Sequence, residues 1–285
     1  MRCCLSDEEI DRLIKEDIPY FDLTTLGLGI NKKPGTIAYY TRHPITVCGT
    51  EEAARVLEKC GATVASLTET GAALAAEQLL LEAKGSAESL HAGWRIALNL
   101  MEYLSGMATR TAKMVEAAHA ANPKTSIVTT RKVFPGTRAL MVKAITAGGA
   151  LPHRLGLSET ILVFKQHFVY LGGFFGLLDQ IKDLKSQFQG HKITVEVESI
   201  EHARILAETG AVDIIQLDKI PLAEIAAFAP EFKQRYPGAL LAAAGGINQE
   251  NAGGYAGAGV DLLVTSQLYF GKPADIAARM IPAAT

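Results

Sequence analysis

The chain has 285 residues, 48% of them hydrophobic and 20% charged, and a formal net charge of −2. That length suits one large barrel domain, or a barrel with a smaller domain, and it can bury a substantial core. A charge so close to neutral excludes a global field drawing the protein to nucleic acid or a membrane surface, so basic side chains must act where they converge.

The chain opens on a capping box, Ser6 with Glu9, which predicts a short helix to about Asp17 that Pro19 ends. The acidic residues from Asp7 onward are the wrong charge pattern for a signal peptide. Asp22-Leu23-Thr24-Thr25 reads as a polar turn. Alternation predicts strands over Thr36–Thr41 and Ile45–Cys48, a helix over 51–60 and a strand over Thr63–Leu67. The four cysteines, Cys3, Cys4, Cys48 and Cys60, all fall in this first part and form no C-x-x-C pair. A zinc site or disulfide framework is therefore not expected, and reduced thiols in a cytoplasm fit best. A helix from about Ser86 to Ala121 follows, with Ile96, Leu100, Leu104 and Met107 at helical spacing, and Ser105-Gly106 allowing a bend or close packing.

From Thr125 the pattern changes. Short β-branched runs, Ser126–Thr129, Ile193–Val197, Asp213–Leu217, Leu240–Ala244 and Leu262–Thr265, alternate with helical stretches such as Glu201–Thr209 and Leu222–Arg235. Such alternation means βαβ units and a parallel sheet, open or closed into a barrel. The apolar stretch Thr160–Leu178 is broken by Lys165, Gln166 and His167, so no uninterrupted run can span a bilayer.

In parallel barrels the reacting groups sit where strands end. Here the first run leads into Arg131-Lys132 and then Arg138. His153-Arg154 follow Gly148-Gly149, and the later runs carry Glu196 and Glu198, Asp218, Gly245-Gly246, and Thr265-Ser266. Cations suit an anionic substrate, arginine forks matching carboxylates and phosphates. A glycine pair before a helix start lets backbone N–H groups approach a phosphate. The carboxylates suit magnesium, sugar hydroxyls or a developing positive charge. Each feature also has a plainer explanation: a solvated Arg-Lys pair, a glutamate facing solvent, a glycine turn, a structural histidine. Their shared position at strand ends favours the functional alternative.

The stretch Thr129-Thr130-Arg131-Lys132-Val133-Phe134-Pro135-Gly136-Thr137-Arg138 resembles the T-R-K-T-x-P-G-x-R signature of quinolinate phosphoribosyltransferases. Gly148-Gly149 with His153-Arg154, Glu196-Val197-Glu198, Leu217-Asp218 and Gly245-Gly246-Ile247 are similar to further motifs of that family, in order. So are Glu16-Asp17, Asp22–Thr25, Arg95–Asn99 and Ser105–Thr109 upstream. The resemblance implies an α/β fold: an N-terminal α/β sandwich domain over 1–108, with a tail from about 270 packing back on it, and an open α/β barrel over 109–269. It implies a homodimer in which Arg95 enters the partner's site. Arg131, Arg138, His153 and Arg154 would surround a dicarboxylate, and Lys132 would serve the substrate and pyrophosphate region. Glu196 and Asp218 would face ribose and magnesium, while Gly245, Gly246, Thr265 and Ser266 would hold a 5′-phosphate. Magnesium is then the one cofactor expected, with no organic cofactor, and small molecules are the partners.

Several positions depart from the family pattern. Phe164 stands where a substrate-binding lysine is expected, with Lys165 one place on. In a strand that shift points Lys165 to the opposite face, while an offset loop would bring it to the site, and Phe164 and Lys165 are both candidate substrate-binding residues. Lys219, Ala244 and Ser266 replace Asn, Ser and Gly. This combination is similar to the ModD-type branch associated with molybdenum transport. The implied reaction moves ribose 5-phosphate from phosphoribosyl pyrophosphate to quinolinate or a related nitrogen heterocycle. A non-catalytic or altered-acceptor phosphate-binding protein is the alternative. A Schiff-base aldolase would need a desolvated lysine such as Lys132 or Lys143, which fits the surrounding charges poorly. The other major phosphoribosyltransferase class is disfavoured because no adjacent acid pair ends a strand.

Overall fold

The computed structural model of the chain describes residues 2–283. Contacts divide it into two compact units. Unit 1 comprises Met1–Ala112, Phe134–Gly149 and Tyr269–Thr285; unit 2 comprises Lys113–Val133 and Ala150–Leu268. Segment 134–149 thus joins the first unit although it lies between two strands of the second.

Unit 1 begins with α1 (Asp7–Asp17), α2 (Leu23–Gly27), β1 (Pro34–Thr41), β2 (Ile45–Thr46) and α3 (Thr50–Lys59). Next come β3 (Thr63–Leu67), β4 (Ala73–Leu74), β5 (Leu79–Ser86) and the long α4 (Ala87–Ala121), whose last turns belong to unit 2. Both bonds of the Ser6/Glu9 capping box are made. The expected polar turn at Asp22–Thr25 is instead the start of α2, because the Asp22 carboxylate accepts the amides of Thr24 and Thr25 at 2.9 and 3.2 Å and caps a helix there. The main sheet is antiparallel, in order β13-β1-β5-β3, where β13 is Ile276–Pro282. Its central strand β5 was not expected from the sequence: Leu, Glu, Ala and Lys are helix formers, and pairing on both sides overrides that preference. Ile37, Tyr39, Leu80 and Leu81 of the sheet are fully buried with Leu57 of α3 and Met101 of α4. Gly106 lets residues 272–274 approach α4 closely, since a Cβ there would lie 2.8 Å from the Ala274 nitrogen.

One charged cluster is sealed within this unit. α5 (Arg138–Ala147) carries Lys143, whose Nζ donates to Glu51 at 2.8 Å and to both oxygens of Glu52 at 2.7 and 2.8 Å. Glu52 also accepts the Cys4 amide, and Glu51 accepts the amide and hydroxyl of Thr70. Burial pushes the Glu51 carboxyl up, but the bonds from Lys143 and Thr70 outweigh it and hold the group down at about 2.

Unit 2 is a curled, open half-barrel. Its strands are β6 (Ser126–Thr129), β7 (Leu151–Pro152), β8 (Ile161–Val163), β9 (Ile193–Val197), β10 (Ile214–Asp218), β11 (Leu240–Ala244) and β12 (Leu262–Thr265). All seven run parallel, in the order β7-β6-β12-β11-β10-β9-β8. Helices α6 (Lys165–Phe168), α7 (Phe174–Leu178) and α8 (Ile181–Gln187) connect β8 to β9, followed by α9 (Ile200–Thr209), α10 (Leu222–Arg235) and α11 (Ala252–Gly257). Alternation sorts the two faces. Val128, Ala242, Ala244 and Val264 form a small apolar cluster on one face, with Ile214 and Leu262 against it. Val195, Val197, Ile215 and Leu217 point the other way and are buried, with α9 packed on β9 and β10. At the strand starts, Asp213 accepts the Ile193 amide and Asp261 the Leu241 amide, tying neighbouring strands together. Among the described residues no helix is long and apolar enough to cross a membrane.

Lys143→Met is expected to lower unfolding free energy by about 3–5 kcal/mol in denaturant titration, because it strands two carboxylates in the interior. Since the Glu51 value is depressed, its stabilising contribution is full above its ordinary 4.5 and is lost as pH falls toward about 2. Thermal melts of the wild type should therefore fall steeply across that window, and those of Lys143→Met less so.

Candidate active site

The carboxyl ends of the unit 2 strands frame a cleft of about 610 Å³. Every residue lining it belongs to that unit. From β6 come Thr130, Arg131 and Lys132; from β7, His153 and Arg154; from β8 and the start of α6, Leu162, Phe164, Lys165 and Gln166. Glu196 enters from β9, Gln216, Asp218 and Lys219 from β10, Gly245, Gly246 and Ile247 after β11, and Val264 through Gln267 from β12. Strand pairing sets the neighbours. Glu196 is in register with Gln216, Gln216 with Ala242, and Asp218 with Ala244.

The cationic side is held by backbone geometry. The Thr130 amide donates to the Thr265 carbonyl and the His153 amide to the Thr129 carbonyl, which fixes the two loops carrying Arg131, Lys132, His153 and Arg154. Burial and the charge of Arg131 both press on the Arg154 guanidinium and lower its value. Two guanidinium groups that repel across a cleft make a ready site for an anion. Burial, and then Arg154, also lower the His153 imidazole, which is therefore neutral near pH 7. Its Nε2 is buried and has no hydrogen-bond partner among the described residues.

On the acidic side, burial and then the charge of Asp218 raise the Glu196 carboxyl, while Gln216 donates to it and lowers it. Two carboxylates in mutual repulsion suit a magnesium ion that takes most of its oxygens from a phosphate substrate. No set of three or more metal-binding side chains occurs among the described residues, so a cage made by protein alone is not what this site offers.

The glycine turn is tightly built. Gly245 and Gly246 have φ of +85° and +79°. A Cβ on Gly245 would lie 2.4 Å from Lys219 Cγ and 2.8 Å from Asp218 Oδ1. The pair does not lead straight into a helix as expected: α11 starts at Ala252, and Asn251 instead binds the Gly246 carbonyl through Nδ2 at 3.0 Å. The Thr265 hydroxyl donates to the Ile247 carbonyl at 2.7 Å and accepts the Gln267 amide at 3.0 Å, so it braces this loop, and Ser266 beside it lines the cleft.

Strand β8 stops at Val163 and Lys165 is the first residue of α6, so its side is not set by strand alternation and the candidate position lies at the cleft. It lines the cleft with Phe164, and its Nζ binds Glu198 at 2.7 Å. Glu198 itself is 55% exposed and lies outside the lining. Arg95 and Arg138 belong to unit 1, where both are exposed and the Arg95 guanidinium lies 4.6 Å from the centre of the Trp94 ring. Gln216 was missed as a site residue, although period-two spacing from Asp218 places it on the same face.

Residues 22–105 match the family model for the quinolinate phosphoribosyl transferase N-terminal domain, and residues 107–278 match its C-terminal domain. A Rhodobacter capsulatus protein named "Putative pyrophosphorylase ModD" is 40% identical over 248 residues, 87% of this chain and 95% of that one. The nicotinate-nucleotide pyrophosphorylase [carboxylating] of Mycobacterium leprae is 34% identical over 277 residues, covering 93% and 95% of the two chains. The crystal structure of a NadC deletion mutant superposes with a TM-score of 0.87 at 25% identity, covering 98% of this chain and 97% of that one.

Gly245→Ala combines an unfavourable φ with a backbone clash, at a cost of about 1–3 kcal/mol. It is expected to lower the melting temperature and to weaken binding of ribose 5-phosphate measured by calorimetry.

Proposed function

Since the chain belongs to the quinolinate phosphoribosyltransferase family, we propose that it transfers ribose 5-phosphate from phosphoribosyl pyrophosphate to the ring nitrogen of quinolinate or a related heterocyclic acid. The observation that carries this reading is the division of one cleft between converging cations, Arg131, Lys132 and Arg154, and a facing pair of carboxylates, Glu196 and Asp218. Such a cleft can hold an anionic acceptor and a pyrophosphate while keeping negative charge beside a sugar.

Arg131 and Arg154 fix the acceptor carboxylates and aim the ring nitrogen at C1′, which removes entropy from the barrier. Neutral His153 offers a ring nitrogen without adding charge. As the C1′–O bond breaks, positive charge grows on the ribose, and Glu196 and Asp218 stabilise it. Lys132 neutralises the departing pyrophosphate. Glu196 and Asp218 would help to hold magnesium, which would supply further charge neutralisation at the leaving group. Gly245 and Gly246 present backbone N–H groups to the 5′-phosphate, with Ser266 alongside. With quinolinate, the new pyridinium stabilises the ring carbanion left when the adjacent carboxylate departs as carbon dioxide, and a proton from water then adds to that carbon to give nicotinate mononucleotide.

The proposal extends to a homodimer in which Arg95 completes the partner's site. Exposed apolar side chains on unit 1, Tyr20, Phe21, Leu23, Leu26, Leu28 and Tyr103, support it. Phe164, and the pairing of Lys165 with Glu198, favour a second acceptor class: a ring carrying less negative charge than quinolinate.

Pyrophosphate release with magnesium, phosphoribosyl pyrophosphate and quinolinate is the direct test, with nicotinate as the less charged competitor. Release with carbon dioxide assigns quinolinate, and release with nicotinate alone assigns the second class. Absence of release and of phosphoribosyl pyrophosphate binding would sink both. Glu196→Gln is expected to lower kcat by about 10²–10³ with the fold intact by circular dichroism. Mixing inactive Arg95→Ala and Glu196→Gln proteins should restore activity through hybrids that keep one whole site.

A further inference from the structure

Gln216 has no place in the mechanism above, yet it occupies the floor of the cleft. It is 4% exposed and lies in register between Glu196 on one strand and fully buried Ala242 on the other. Its Nε2 donates to Glu196 Oε2. An ionised carboxylate only accepts hydrogen bonds, so the amide is turned this way round and its oxygen must look elsewhere. That oxygen, Oε1, is buried and meets no donor among the described residues. The neighbours on that face of the sheet are the apolar cluster of Val128, Ala242, Ala244 and Val264. An apolar side chain would fill the position without leaving a buried acceptor unpaired. A residue that costs stability while bonding one carboxylate of the cleft is explained by what it does to that carboxylate.

Glu196 needs such a tether. The Asp218 carboxylate, on the same face of the adjacent strand, repels it, and Lys165, whose Nζ pairs with Glu198, attracts it. Without a fixed partner its side chain would swing away from Asp218. We infer that Gln216 is a positioning residue, holding one oxygen of Glu196 at the floor of the cleft so that the other is presented to the ribose hydroxyls. This rests on the transferase reading. It adds a component to the site: the acidic side is a triad of Glu196, Asp218 and Gln216, in which Gln216 touches no reacting atom.

The test uses the full chain with Gln216→Leu and, as a second variant of similar length, Gln216→Met. Both remove the donor and the orphaned oxygen together. Each variant is expected to melt at or above the wild-type temperature. Each should also bind magnesium–phosphoribosyl pyrophosphate about tenfold more weakly in calorimetry and lose about tenfold or more in kcat, with KM for the acceptor changed less than about threefold. A purely structural amide predicts the reverse, lower melting temperatures with kcat per folded molecule unchanged, and that result overturns the inference. Variants that bind and turn over like the wild type overturn it too, and leave the transferase reading standing. A wild type that neither binds phosphoribosyl pyrophosphate nor releases pyrophosphate removes both.

Discussion

Everything at the cleft depends on seven strands running in the same direction. Parallel strands deliver all their carboxyl ends to one rim, so residues from Thr130 to Gln267 meet there although they are distant in sequence. The strand order also sorts the chemistry. β7 and β6 bring Arg154, Arg131 and Lys132, β12 and β11 bring Ser266 and the glycines, and β10 and β9 bring Asp218 and Glu196. A ligand lying across those three groups would meet cations, then backbone amides, then carboxylates. The proposed reaction makes the same three demands, from an anionic acceptor, a 5′-phosphate and a ribose that gains positive charge, so a geometric constraint becomes a chemical one.

Two clusters of charge in this chain solve opposite problems. Lys143 is enclosed by Glu51 and Glu52, each within 2.8 Å, and the hydrogen bonds hold Glu51 far below its ordinary value. That set is satisfied from within and has nothing left to offer a ligand. In the cleft, Glu196 is raised and Arg154 is lowered, each by burial and by a neighbour of its own sign. Groups left in repulsion at the same rim store free energy that a complementary ligand releases on binding.

The parts of the fold that could be read from the sequence are those whose local chemistry agrees with their tertiary surroundings. Ser6 with Glu9 caps α1, and the β-branched runs at Ser126, Ile193 and Leu262 are strands. Arg131, Lys132, His153 and Arg154 follow strand ends, Glu196 and Asp218 lie at the ends of theirs, and all line one cleft, as their positions suggested. What escaped was decided at long range. β5 is made of helix formers and is a strand because β1 and β3 flank it. The side taken by Lys165 stayed open in the sequence because β8 is only three residues long, which no local signal announces. Gln216 reads as an ordinary residue of a buried strand until the register sets it beside Glu196.

The pairing of β1 with β13 has a consequence for how the chain is made. Gly35 lies opposite Pro282, and Thr41 opposite Ile276, so one edge of the unit 1 sheet is completed by segments some of the farthest apart in sequence. During synthesis from the amino end, the strands of unit 2 leave the ribosome while β1 still waits for that partner. Contacts of such separation slow folding, and an unpaired edge is the surface on which other chains add. Until Ile276–Pro282 emerges, β1 is the exposed edge of that sheet, and once it has paired β13 is the edge in its place.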